Sequence, residues 1–124
     1  MVPFAGWEMP LQFEGILAES RAVRATAGLF DVSHMGRIWL RGSQAGALLD
    51  WIVTADVTSV GLGRGRYTLI CNEQAGIIDD CIFYHLSDEE FLLVANAGNF
   101  DDVWNWVNRW RDEKFTSVIL ENRT

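Results

Sequence analysis

The period of the apolar positions changes along the chain, and each change marks a predicted element. Ile16, Leu17, Ala18, Ala22, Val23 and Ala27 make a broad helical face, which predicts a helix over residues 15–27 with Gly28 as a left-handed C-cap and Leu29 closing it. Arg37–Arg41 alternate, with Ile38 and Leu40 opposite in parity to Trp39, the signature of a short strand. Ala45, Leu48, Leu49 and Ile52 return to helical spacing, and Ser43 is the expected N-cap. Tyr67–Cys71 and Ile77–Tyr84 are β-branched or aromatic runs on either side of a turn-like segment, and Phe91–Ala95 follows the polar stretch Ser87–Glu90. Val103, Trp104, Val107 and Trp110, with Trp106 at the edge, stripe a last helix. Asn99 is its expected cap, and Asp101 and Asp102 at the start with Arg109 and Arg111 later follow the helix dipole. Ser117–Leu120 reads as a final strand.

From residue 36 onward the order is strand, helix, three strands, helix, strand. It predicts an α+β fold over residues 36–124, a split βαβ or ferredoxin-like sheet, mostly antiparallel, with its helices on one face. Residues 1–35 form a separate part: an extended or irregular aromatic arm containing Pro3 and Pro10, then the first helix. Phe4, Trp7, Leu11 and Phe13 in that arm need a surface to bury against.

Composition narrows the function. With 49% hydrophobic residues, 22% charged and two prolines, the 124-residue chain is a packed protein and not a disordered one. Its net charge of −7 is unevenly spread: residues 1–66 hold six acids and six bases, residues 67–124 eleven acids and four bases. Nucleic acid is therefore not an expected partner, because phosphate neutralisation needs clustered positive charge. No run approaches the roughly 18 apolar residues of a membrane span, and Met1–Pro10 lacks the Lys or Arg of a targeting peptide. The expectation is a cytoplasmic protein with no membrane partner. Cys71 and Cys81 lack metal-ligand spacing and read as buried thiols, so no metal site is predicted.

The strand at Ile77–Tyr84 carries the chemistry. Neighbouring strand residues face opposite sides, so Asp79 and Asp80 form no dyad: Ile78, Asp80, Ile82 and Tyr84 share one face, Ile77, Asp79, Cys81 and Phe83 the other. If Ile82 opposes Val94, then Tyr84 meets Leu92 and Asp80 meets Asn96, which gathers a carboxylate, an amide and a phenol among apolar groups. Such a face suits a planar small molecule. The competing reading makes Asp80 a solvated strand-end carboxylate, Asn96 a turn residue and Tyr84 simple packing. Gly61-Leu-Gly-Arg-Gly65 is not a phosphate cradle, since it leads into a strand rather than a helix, although Arg64 and Arg66 could meet an anionic tail. His34 and His85 read as packing and turn residues, and no nucleophile set is present.

The strings Val2-Pro-Phe-Ala-Gly-Trp-Glu-Met-Pro-Leu11, Gly28-Leu-Phe-Asp-Val-Ser-His-Met-Gly36, Tyr67-Thr-Leu-Ile-Cys-Asn-Glu73, Gly76-Ile-Ile-Asp-Asp80 and Val94-Ala-Asn-Ala97 closely resemble the glycine cleavage system T-protein family of aminomethyltransferases. The likeness runs along the whole chain and corresponds to the N-terminal portion of that longer family. It implies tetrahydrofolate as cofactor and the lipoylated H-protein as partner. A one-carbon unit passes from the aminomethyl-lipoyl arm to tetrahydrofolate, and ammonia is released.

The same resemblance makes Asp80 the catalytic acid–base residue, steering protons near the folate nitrogens and stabilising iminium-like charge, and Met35, Tyr67, Tyr84, Val94 and Asn96 the folate-binding residues. A carboxylate in an apolar surround would be a base near neutral pH. Folate-dependent demethylases and a non-catalytic folate-binding module share the scaffold and stay as alternatives. Two positions depart from the family: Ala55 stands in Thr54-Ala-Asp-Val57 where Asn is usual, and Ala75 precedes Gly76 where Gly is usual. The family's folate site is closed by segments beyond these residues, so the isolated chain is expected to have little transferase activity and to self-associate through its arm.

Overall fold

A computed structural model describes all of residues 1–124. The chain divides into two compact units, Met1–His34 and Met35–Thr124.

In the first unit, β1 (Val2–Phe4) and β2 (Trp7–Met9) form an antiparallel hairpin. Of the extended or irregular arm suggested by the sequence, these residues take the extended form, paired as a hairpin. Ala5 and Gly6 both take positive φ, 48° and 83°, as a tight hairpin turn of this hand requires. Helix α1 (Ile16–Ala25) is shorter than the periodicity suggested and ends without the Gly28 cap. Thr26 closes it instead, its backbone N–H and hydroxyl both donating to the Ala22 carbonyl at 2.9 Å. At the other end the Glu19 carboxylate accepts from the N–H groups of Phe13, Glu14 and Gly15. No residue of α1 is buried.

The second unit is α+β. Strands β3 (Gly36–Arg41), β4 (Gly65–Cys71), β5 (Ile77–Ser87), β6 (Glu90–Ala95) and β7 (Ile119–Asn122) form one sheet in the order β4-β5-β6-β3-β7. Every neighbouring pair is antiparallel. Helices α2 (Ala45–Ile52) and α3 (Phe100–Lys114) complete it. β6 and β7, joined through α3, run in the same direction on either side of β3, which is a split β-α-β unit. The expected α+β class with an antiparallel sheet is observed, whereas the sheet as a whole differs from the four strands of a ferredoxin-like split. The sheet has a fifth strand because the β4–β5 hairpin extends it beyond β6, and α2 connects strands of opposite direction.

Burial alternates strictly along β3 and β6 and through the centre of β5, so the sheet has one covered and one open face. Ile38, Leu40, Phe83, Phe91 and Leu93 point to the covered face, where they pack with Leu48, Leu49 and Ile52 of α2 and Val103 and Val107 of α3. These α2 positions are the stripe read from the sequence. Ser43 does not cap α2, which starts from Gln44 without a side-chain cap. Asn99 precedes α3 but gives it no side-chain cap either, for a reason found at the site below.

Candidate functional site

The open face of β4, β5 and β6 carries the predicted residues. Ile82 pairs with Val94 and Tyr84 with Leu92, the register expected from the sequence. Tyr67 of β4 stands opposite Ile82 and therefore joins the same face. Met35 and Asn96 immediately flank the Gly36–Ala95 pair that ends the β3–β6 ladder. Tyr67, Asp80, Tyr84 and Val94 thus share one side of the sheet, and Asn96, just past the end of β6, reaches the Asp80 carboxylate from beside it. Ile78 is the departure: Cys71 pairs with Ile77, the bulge leaves Ile78 over, and it packs against the core while Ile77 is exposed.

Asp80 is held at both oxygens. The Tyr67 hydroxyl donates to Oδ2 at 3.0 Å, and Nδ2 of Asn96 donates to Oδ1 at 3.0 Å and to the Asp80 carbonyl at 2.9 Å. The hydrogen bond to Asp80 pushes the Tyr67 phenol above its ordinary value, followed by desolvation and by the negative charge of Asp80. Asp80 itself is exposed. These residues form an open face rather than a closed pocket. Tyr84 and Ile82 are each 38% exposed and supply the apolar floor.

Sequence reasoning missed Asp79. Its strand parity sends it to the covered face, where it is 2% exposed. A buried carboxylate needs donors, and three reach it: the Asn96 backbone N–H at 2.9 Å, Asn96 Nδ2 at 2.9 Å and Asn99 Nδ2 at 2.7 Å. Asn99 gives its side chain to this carboxylate and so does not cap α3. The available signal was an acid at a core parity position, with asparagines at 96 and 99 following the partner strand.

Other residues singled out by sequence lie elsewhere. His34 meets Phe4 edge-on at 5.5 Å with its Nδ1 buried and unpaired. His85 lies in β5 rather than in a turn, stacks on Phe91 at 4.6 Å and places Nδ1 2.7 Å from the Val60 carbonyl. Arg66 lies opposite Phe83. Cys71 is half-buried; burial of Cys81, and then the charges of Asp79 and Asp80, push its thiol up to about 12. No cluster of His, Cys, Asp or Glu is arranged to hold a metal, and no helix is long and apolar enough to cross a membrane.

Known proteins share this architecture. The family model described as GCVT N-terminal domain matches residues 1–124. The aminomethyltransferase of Corynebacterium aurimucosum is 48% identical over 122 residues, 98% of this chain and 32% of that protein. That of Chloroherpeton thalassium is 42% identical over 124 residues, 100% of this chain and 34% of its own length. Among solved structures, glycine cleavage system aminomethyltransferase T from Bartonella henselae is similar with a TM-score of 0.90 at 37% identity, covering 98% of this chain and 33% of that one. The chain spans about a third of the length of the curated relatives it matches. With the match running from its first residue to its last, the chain belongs to the GCVT N-terminal domain family, and the relatives it matches are aminomethyltransferases.

Proposed function

We propose that this chain supplies the folate-facing wall of a glycine cleavage aminomethyltransferase. In that activity tetrahydrofolate accepts a one-carbon unit from the aminomethyl group on the lipoyl arm of the H-protein, with release of ammonia. The observation that carries the reading is the Asp80 carboxylate, exposed on an otherwise largely apolar sheet face and braced by Tyr67 and Asn96. The donor and acceptor chemistry fits the group: a reduced pterin is flat, apolar on its faces and rich in N–H on its edges, and this surface offers an apolar floor with oxygen acceptors beside it.

Ile82, Tyr84 and Val94 would bear the ring face, Met35 would flank it, and Asp80 would lie against a ring-edge or bridging nitrogen. Bound tetrahydrofolate supplies the nucleophilic nitrogen that accepts the carbon. Asp80 accepts a proton from that nitrogen and opposes positive charge developing beside it. Tyr67 and Asn96 fix the carboxylate in one rotamer and thereby limit the reorganisation needed. The name aminomethyltransferase on the matched relatives favours this reading over a demethylase or a non-catalytic folate-binding module.

Titration of the chain with tetrahydrofolate tests it. Saturable binding weakened about tenfold or more by Tyr84→Ala is expected, since each tenfold is ~1.4 kcal/mol. In a transferase assay within a full-length relative, the Asp80→Asn equivalent should bind tetrahydrofolate and fail to transfer. No saturable binding up to ~1 mM, a threshold near −4 kcal/mol, overturns the reading.

A further inference from the structure

The open face displays polar groups whose protons are already committed to protein acceptors. Nδ2 of Asn96 has three acceptors, namely Asp79 Oδ1, Asp80 Oδ1 and the Asp80 carbonyl, at 2.9–3.0 Å. Two N–H bonds facing three oxygens fix the orientation of the carboxamide, since a flip would set its Oδ1 against those same oxygens. Asn96 Oδ1 is left without a protein donor. The Tyr67 hydroxyl commits its proton to Asp80 Oδ2. Asp80, Asn96 Oδ1 and the Tyr67 oxygen therefore all offer lone pairs.

We propose that Asp79 is a positioning residue that sets this polarity: by accepting both the backbone and the side-chain N–H of Asn96, it holds the carboxamide with its oxygen outward and makes the face selective for ring edges that present N–H donors. The inference rests on the folate reading and deepens it. A tetrahydropterin carries N–H at ring nitrogens where a fully oxidised pterin has bare lone pairs. Lone pairs facing lone pairs leave groups desolvated without a partner, which is the stronger form of discrimination. Asp79 never touches the ligand. It lies behind the sheet at 2% exposure and acts through Asn96, while Asn99 anchors its other side at the start of α3.

The test uses the isotopically labelled 124-residue chain, with tetrahydrofolate and folic acid as probes. In the wild type, the two Asn96 side-chain amide protons are resolved and exchange at least tenfold more slowly than those of free asparagine. In Asp79→Asn they exchange about tenfold faster than in the wild type, and the affinity ratio of tetrahydrofolate to folic acid falls about tenfold, the upper range of one neutral hydrogen bond. Asn99→Ala lowers stability but leaves that ratio unchanged, because Asn96 keeps its own bonds to Asp79. A merely structural role would lower both affinities together.

Unchanged exchange in Asp79→Asn, or faster exchange with the ratio intact, overturns the proposal. If Asp79→Asn does not fold, the wild type decides: Asn96 protons exchanging as fast as free asparagine overturn it, and protected ones with a preference for tetrahydrofolate support it. If neither pterin binds the wild type, the folate reading fails, and the exchange rates alone judge whether Asp79 orients Asn96.

Discussion

A single methyl group at Gly36 tests how tightly the site is tied to the helical layer. Gly36 is buried at the start of β3, paired with Ala95 beside Asn96. A Cβ built there would meet the Phe100 ring at 2.0, 2.7 and 3.0 Å, from Cδ2, Cε2 and Cγ. Carbon atoms pack at about 3.5–4.0 Å, so the nearest pair overlaps by about 1.5 Å and the ring must move. Phe100 opens α3, follows Asn99 and stacks on Trp104 with ring centroids 6.2 Å apart. Its displacement strains the helix start that holds Asn99 on Asp79.

Overpacking of this kind costs about 1–3 kcal/mol, and for a unit of this size each kcal/mol lowers the midpoint by about 4–8 °C. Thermal melting followed by circular dichroism should show Gly36→Ala melting lower by at least about 4 °C. Gly36→Ala combined with Phe100→Leu should lose less than the two single changes summed, because the smaller side chain vacates the contested space. A midpoint for Gly36→Ala within about 2 °C of the wild type would refute the steric argument, since it would mean Phe100 moves at no cost.

Three further outcomes are expected. Ala75 sits at φ 63°, a conformation that L side chains adopt at a cost, so Ala75→Gly should raise stability by about 0.5–1 kcal/mol in urea unfolding; a loss would show the turn to be unstrained. The Arg41 guanidinium, and then the Trp39 indole N–H, hold the Glu90 carboxyl below its ordinary value. Its contribution is therefore complete above the unfolded carboxyl value and is lost as pH falls through the lower folded one, so Glu90→Gln should destabilise the chain at pH 7 and flatten its acid-side decline in urea titrations across pH 2–6. Residues 1–34 have no buried member and expose Phe4, Leu11, Phe13, Leu29 and Phe30, so light scattering should give a mass above 14.0 kDa that rises with concentration and falls for Phe13→Ser; a monomer at every concentration would count against self-association.

Strand parity was readable from the sequence because it is local: once Ile77–Tyr84 is extended, Asp79 and Asp80 must face opposite ways, and Ile82, Tyr84 and Val94 share a side under one simple pairing. The helical stripe Ala45, Leu48, Leu49 and Ile52 was legible for the same reason, as each residue's face follows from its spacing to the next. Tertiary structure alone decided the strand order, which sets β3 between β6 and β7, since that depends on which distant edges compete for pairing. It also decided the fate of Asn99: a helix cap is the local solution, but a buried carboxylate twenty residues earlier in the chain needs a donor more than an exposed helix end does, where water can serve. The exposure of Asp80 was likewise beyond sequence reading, because parity assigns a residue to a face and only the remaining chain determines what lies over it.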